Sequence, residues 1–198
     1  MSTQPAVRRW TYDEFARLPN DGNRYEVIGG ELYVTASPYP IHQEVTGRLS
    51  DLLRPLVARH RLGRAIPGPI DVLFGEGDYL APDYVFVRRD RVATISRRGV
   101  EGPPDLVVEI LSSSTMQRDR GIKRQRYAHF GVPEYWILDW NRKRVEINRN
   151  NDANTFDVQI VAESFDWQPV PGGPVLTINV PDLLRDFDEL ADVPDQVD

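Results

Sequence analysis

The chain has 198 residues and a net charge of −6, enough length for one domain with a real core. No apolar run approaches the ~20 residues that cross a bilayer, and Met1 to Arg9 lacks the apolar stretch of a secretory signal. The absence of cysteine excludes disulfides and thiolate metal sites and agrees with a reducing cytoplasm. Any metal must then be held by carboxylates, carbonyls or the three histidines, and oxygen donors favour Mg²⁺ or Mn²⁺. No membrane partner is expected.

The charge is uneven. Seven acids and one arginine fall between Asp182 and Asp198, leaving 23 of the 30 acidic and 23 of the 24 basic residues in a neutral body. Residues 1–9 are expected to be flexible, 10–184 to form a single domain, and 185–198 to be a frayed acidic tail. Basic residues cluster at Arg88, Arg89 and Arg91, at Arg97 and Arg98, from Arg118 to Arg126, and from Arg142 to Arg144. Such clusters suit phosphates, and equally a solvated face.

In chain order, Thr11-Tyr12-Asp13-Glu14 is a capping box opening a short helix that stops near Pro19. Arg24 to Ile28 and Glu31 to Val34 flank Gly29-Gly30, a two-residue hairpin signal. A long amphipathic helix follows from about Ile41 to His60, its inner stripe formed by Val45, Leu49, Leu52, Leu53 and Leu56, with Pro55 expected to kink or split it. Pro67 to Phe74 and Asp83 to Val87 read as two antiparallel strands joined by the turn-rich Gly75 to Asp78.

Asp105 to Leu111 is a strand with apolar residues on both faces, so it belongs inside a sheet covered on both sides. Ser114, with Gln117 three residues on, is the predicted N-cap of a helix running to Phe130 and ended by Gly131-Val132-Pro133. Glu134 to Asp139 is a further strand, Arg144 to Arg149 and Phe156 to Val161 form a late hairpin, and Pro181 to Leu184 is a last helical turn. The pattern predicts an α/β domain with a mixed central sheet flanked by helices, an N-terminal hairpin and a C-terminal β-hairpin extension.

Chemistry concentrates on Glu109. Inside an apolar strand its carboxylate costs several kcal/mol unless a cation, a metal ion or a wet cleft compensates; an arginine partner alone would also do this. Asp83 heads a second apolar strand, a position where Asp commonly just caps a turn. Together the two carboxylates are the minimum for holding a divalent ion, and the Ile110 carbonyl offers a further oxygen. On the following helix Asp119, Lys123 and Tyr127 are spaced i, i+4, i+8 on one face, with Arg120 and Arg124 on an adjacent stripe. Packed back on the sheet, that helix brings Lys123 to the carboxylates, where its charge favours their ionised form. Alternatively Asp119 and Lys123 are an ordinary surface pair.

The run PDLVVEILSSSTMQRDRGIKRQRYAHFGVPEYWILD, preceded by RYEVIGGELY and APDYVFV, resembles the Uma2 family, formerly a domain of unknown function, of the PD-(D/E)XK nuclease superfamily. The resemblance spans roughly Trp10 to Leu184. It implies a restriction-endonuclease-like fold, with Asp83 and Glu109 as the metal-binding acids. The simplest superfamily pattern has a lysine two residues after the Glu; here Leu111 stands there, and the resemblance implies that the lysine has migrated to Lys123. Glu26 and His42 lie in segments that relatives share near the cleft; a strand-edge Glu and a surface His remain equal alternatives.

The implied activity is metal-dependent hydrolysis of nucleic-acid phosphodiesters, with DNA as the expected substrate. Asp83, Glu109 and Ile110 would hold the metal, and Lys123 and Tyr127 would assist. Arg120 and Arg124 would grip phosphates without reading bases, and binding to a neutral body should be weak and salt-sensitive. A homodimer is also expected, because Arg144 to Val161 and Phe165-Asp166-Trp167 offer more apolar surface than a small domain covers, and duplex cleavage is simplest with two sites. The rival reading is an inactive nuclease-fold module that binds or scaffolds through a protein partner.

Overall fold

The computed structural model describes residues 9–36, 40–75 and 77–185. Residues 1–8 of the expected flexible start, Glu76 of the turn, and residues 186–198 of the acidic tail lie outside the described residues.

Helix α1 (Tyr12–Phe15) opens on the predicted capping box, with Glu14 N donating to Thr11 Oγ1 and Thr11 N donating to Glu14 Oε2. Strands β1 (Arg24–Ile28) and β2 (Glu31–Thr35) form the hairpin, turning at Gly29 and Gly30, whose φ of 62° and 93° favour glycine. Helix α2 (Pro40–Arg59) buries Ile41, Val45, Leu49, Leu53 and Val57. Contrary to expectation it runs unbroken through Pro55, which sits on the exposed face, where water can reach the carbonyl it leaves unpaired.

The segment expected as one strand from Pro67 to Phe74 is divided between two sheets: β3 (Gly63–Pro67) pairs with β6 (Tyr84–Arg88), whereas β4 (Val72–Gly75) pairs with β5 (Asp78–Leu80). Two short strands follow, β7 (Ile95–Ser96) and β8 (Gly99–Glu101), and then the fully buried β9 (Leu106–Ile110). The helical segment after β9 has three parts: α3 (Met116–Arg118), a turn over Asp119–Lys123 kinked at Gly121, and α4 (Arg124–His129). Its cap is not Ser114; Thr115 N donates to Ser112 Oγ at 3.2 Å, so the chain is gathered two residues after β9 closes. Gly131 (φ 75°) ends it as predicted. Strands β10 (Glu134–Asp139), β11 (Arg144–Asn150), β12 (Phe156–Val161), β13 (Ser164–Trp167) and β14 (Leu176–Asn179), then α5 (Val180–Leu183), complete the chain.

The central sheet has the order β12-β11-β10-β9-β6-β3, with β9 and β10 parallel and the other neighbours antiparallel. The late hairpin is therefore one edge of the central sheet, and the C-terminal extension is the separate β13-β14 pair. A second mixed sheet runs β2-β1-β5-β4-β8-β7. Alternation along β9 sends Leu106, Val108 and Ile110 to one face, where α2, β13, β14 and α5 cover them, and Val107 to the other, beneath Tyr127 of α4 and Ile28, Val72 and Leu80 of the second sheet. Glu109 takes the parity of Val107, so it points between the central sheet, α4 and the second sheet. Trp136 packs edge-on against Phe165 and Trp167 in the first core. Those two aromatics, expected on a dimer surface, are internal; Val158 (46% exposed) and Ile160 (57%) on β12 are the apolar residues that the late hairpin leaves at the surface.

Candidate active site

Register brings the two acids together. Tyr84 opposes Val108 in the antiparallel β6-β9 pair, so the preceding and following residues, Asp83 and Glu109, face each other on the α4 side. Asp83 is held at the head of β6 by its N–H, which donates to the Val108 carbonyl at 3.1 Å, and by its carbonyl, which accepts from Gly68 N at 2.7 Å. Gly68 is required there, since a Cβ would stand 2.1 Å from the Pro82 carbonyl oxygen. Both acids are buried, yet they line one cavity of about 210 Å³ with Glu26, His42, Ile110 and Lys123.

Lys123, fourteen residues after Glu109, reaches it as predicted: Nζ lies 2.9 Å from Glu109 Oε1, 2.8 Å from Glu26 Oε1 and 3.5 Å from Asp119 Oδ1. The Tyr127 hydroxyl donates to the same Glu109 oxygen at 2.9 Å. Asp119, Lys123 and Tyr127 are all buried on one side of a segment kinked at Gly121 (φ −104°, ψ −105°). Glu26, on β1, is no strand-edge residue: it is 1% exposed and also accepts from Ala81 N at 2.9 Å. His42 is buried as well, with Nδ1 3.7 Å from Asp83 Oδ2 and neither ring nitrogen hydrogen-bonded.

The two acids differ in their electrostatics. Burial resists ionisation of Asp83, but His42, the Arg24 guanidinium at 2.9 Å and the Ile110 N–H at 2.8 Å outweigh it and hold its pKa at about 2. Burial pushes Glu109 well above the ordinary carboxylate range; Lys123 opposes this, while Asp119, Asp83 and Glu26 reinforce it. The predicted lowering by the lysine is thus overcome by desolvation and neighbouring acids. Burial also works against the charge on Lys123, yet Glu109, Glu26 and Asp119 raise its pKa and keep it an ammonium. Tyr127 is raised well above its usual value by burial and by Glu109, so it stays a hydrogen-bond donor.

Two cations that sequence reasoning left out of the site line the cavity: Arg24, on Asp83, and Arg118. The alternation Arg24-Tyr25-Glu26 was the available signal for Arg24, since it sets Arg24 and Glu26 on one face of β1. Arg120 and Arg124 do not line the cavity. Arg120 donates instead to Glu146 at 2.7 Å and Asp139 at 2.6 Å, where Arg144 also approaches both acids. Standing one residue beyond Asp119 and Lys123, Arg120 and Arg124 lie off the face that those two turn to the acids.

The donor set suits a hard divalent ion. Asp83 and Glu109 supply carboxylate oxygens, and each oxygen already accepting a hydrogen bond keeps a further lone pair. Among the described residues no group of three or more acidic or histidine side chains is placed to hold a metal ion.

The Uma2 family model, described as "Putative restriction endonuclease", matches residues 12–181. No curated protein matches the chain. A crystal structure described as "a putative nuclease belonging to DUF820", from Anabaena variabilis ATCC 29413, is similar with a TM-score of 0.71 and 22% identity, covering 88% of this chain and 97% of that one. That likeness establishes the fold. With the model matched along nearly all of the described residues, the chain belongs to the Uma2 family.

Proposed function

We propose that this chain is a divalent-metal-dependent endonuclease that hydrolyses nucleic-acid phosphodiesters, with DNA as the expected substrate and Mg²⁺ or Mn²⁺ as the ion. The observation that carries this reading is the pair of buried acids, Asp83 and Glu109, facing each other across β6 and β9 and opening into one cavity with Lys123. The family description and the fold likeness support nuclease chemistry.

Asp83, Glu109 and the Ile110 carbonyl would hold the ion, which when bound neutralises phosphate charge and acidifies a water. The Lys123 ammonium, fixed by Glu26, Glu109 and Asp119, orients the attacking water or steadies the negative charge that develops on the phosphate. Tyr127 and Arg24 act through the acids, holding the Glu109 and Asp83 carboxylates in place. Two such sites in a homodimer would serve both strands of a duplex, and Val158 and Ile160 on β12 are the apolar residues left for that contact.

The second reading, a binding or scaffolding module, draws support from how closed the ion network is: both Asp83 oxygens and Glu109 Oε1 already accept from protein donors. Incubating the protein with single-stranded, nicked and duplex DNA, and with RNA, in Mg²⁺ and Mn²⁺ at low ionic strength separates the two. Cleavage lost in both Asp83→Ala and Glu109→Ala supports the endonuclease. Metal binding without cleavage of any substrate selects the module.

A further inference from the structure

Among the described residues three side-chain cations line the cavity: Arg24, Arg118 and Lys123. Two are committed to the acids. Arg24 donates to Asp83, and Lys123 lies within hydrogen-bond distance of both Glu26 and Glu109. Arg118 differs. Its hydrogen bond goes from a guanidinium nitrogen to Thr35 Oγ1 at 2.9 Å, its guanidinium carbon lies 4.7 Å from the centre of the Tyr33 ring, and it forms an ion pair with Glu26 Oε2 at 3.7 Å, longer than a hydrogen bond. Lys123 and the Ala81 N–H both engage Glu26 Oε1, so Arg118 meets Oε2 only through that longer ion pair. A guanidinium carries five N–H donors in a rigid fork that matches a phosphate, and here the ring and the threonine fix its direction while leaving donors free.

The wall beside it is built of hydroxyls. Ser112, Ser114 and Thr115 line the same cavity, with Ser112 Oγ 3.0 Å from both Ser114 Oγ and Thr115 Oγ1. The chain therefore presents a positioned cation and a hydroxyl cluster next to the acids, and none of these groups is needed to hold Asp83 or Glu109.

We propose that Arg118, steered by Thr35 and Tyr33 and flanked by Ser112, binds an anionic oxygen of a substrate phosphodiester. This assignment rests on the nuclease reading for the identity of the ligand, and it moves the phosphate grip from Arg120 and Arg124 to a residue inside the cavity. No base is read by such a contact, so the site accepts strands without regard to sequence.

Binding, kept separate from cleavage, tests it. Fluorescence anisotropy of a labelled single-stranded DNA, measured over a range of salt in the Glu109→Gln background without metal, reports affinity and its salt slope. Arg118→Gln should weaken binding about tenfold and lower the log–log slope by about 0.7, the value for one phosphate contact on a single strand. Arg118→Lys should restore the slope while remaining weaker, because the charge returns without the fork. Arg97→Gln, at the opposite edge of the second sheet, should keep the original slope. An unchanged slope in Arg118→Gln, an equal loss in Arg97→Gln, or no binding by the parent protein overturns the proposal. Failure to cleave any substrate, with the Arg118-dependent slope intact, would overturn the nuclease reading alone.

Discussion

Replacing Lys123 by Met removes the one ammonium among three buried carboxylates. Glu26, Glu109 and Asp119 lie 2.8, 2.9 and 3.5 Å from Nζ, and all four side chains are no more than 3% exposed. Breaking a buried pair in this way costs about 3–5 kcal/mol, because a charge is left without a partner. For a chain of this size that corresponds to a fall in Tm of roughly 6–20 °C, a large share of the ~5–15 kcal/mol available to a domain. Urea and thermal unfolding followed by circular dichroism measure it. The loss should shrink as pH falls: Glu109 and Asp119 have raised folded-state values, so protonation favours the folded form and stability is lost as pH rises above the ordinary carboxylate range. Adding Glu26→Gln should recover part of the loss, since it removes one stranded charge while an amide oxygen can still accept from Ala81 N. A Lys123→Met protein as stable as the parent at neutral pH, or a Glu26→Gln effect that is simply additive, would refute the buried-cluster argument.

Divalent-ion binding should be lost in Asp83→Ala and Glu109→Ala by calorimetry; in the parent it should strengthen with rising pH and release a proton, seen as a buffer-dependent heat, because Glu109 is raised and must ionise to bind. Asp83, held at about 2, contributes about 2 kcal/mol above pH ~4 that is lost as pH falls towards 2, so Asp83→Asn should flatten that acid limb of the stability curve. Gly68→Ala should shift the start of β6, lowering both Tm and any cleavage, because its Cβ would meet the Pro82 carbonyl at 2.1 Å; unchanged melting and activity would contradict this. Ile160→Glu should convert a dimer to a monomer in light scattering without lowering Tm, whereas Trp167→Ala should cost about 3–5 kcal/mol of stability as a core substitution.

Local rules sufficed for what is local. The capping box at Thr11, the Gly29-Gly30 turn, the stripe of α2 and the Gly131 stop depend on neighbours a few residues apart, and each is where the pattern put it. Glu109 and Asp83 were legible because a carboxylate inside an apolar strand is expensive, and Lys123 because four- and eight-residue spacings share a helix face. Long-range contacts carry no such signature. Arg24 meets Asp83 across 59 residues and Arg118 meets Thr35 across 83, and only the stacking of the second sheet against α3 and the kinked turn after it brings them into one cavity. The same holds for Arg120, whose partners Asp139 and Glu146 lie 19 and 26 residues away on β10 and β11. The same limit applies to Phe165 and Trp167: an apolar run states that area must be buried, and tertiary packing alone decides whether a partner or the chain's own Trp136 buries it.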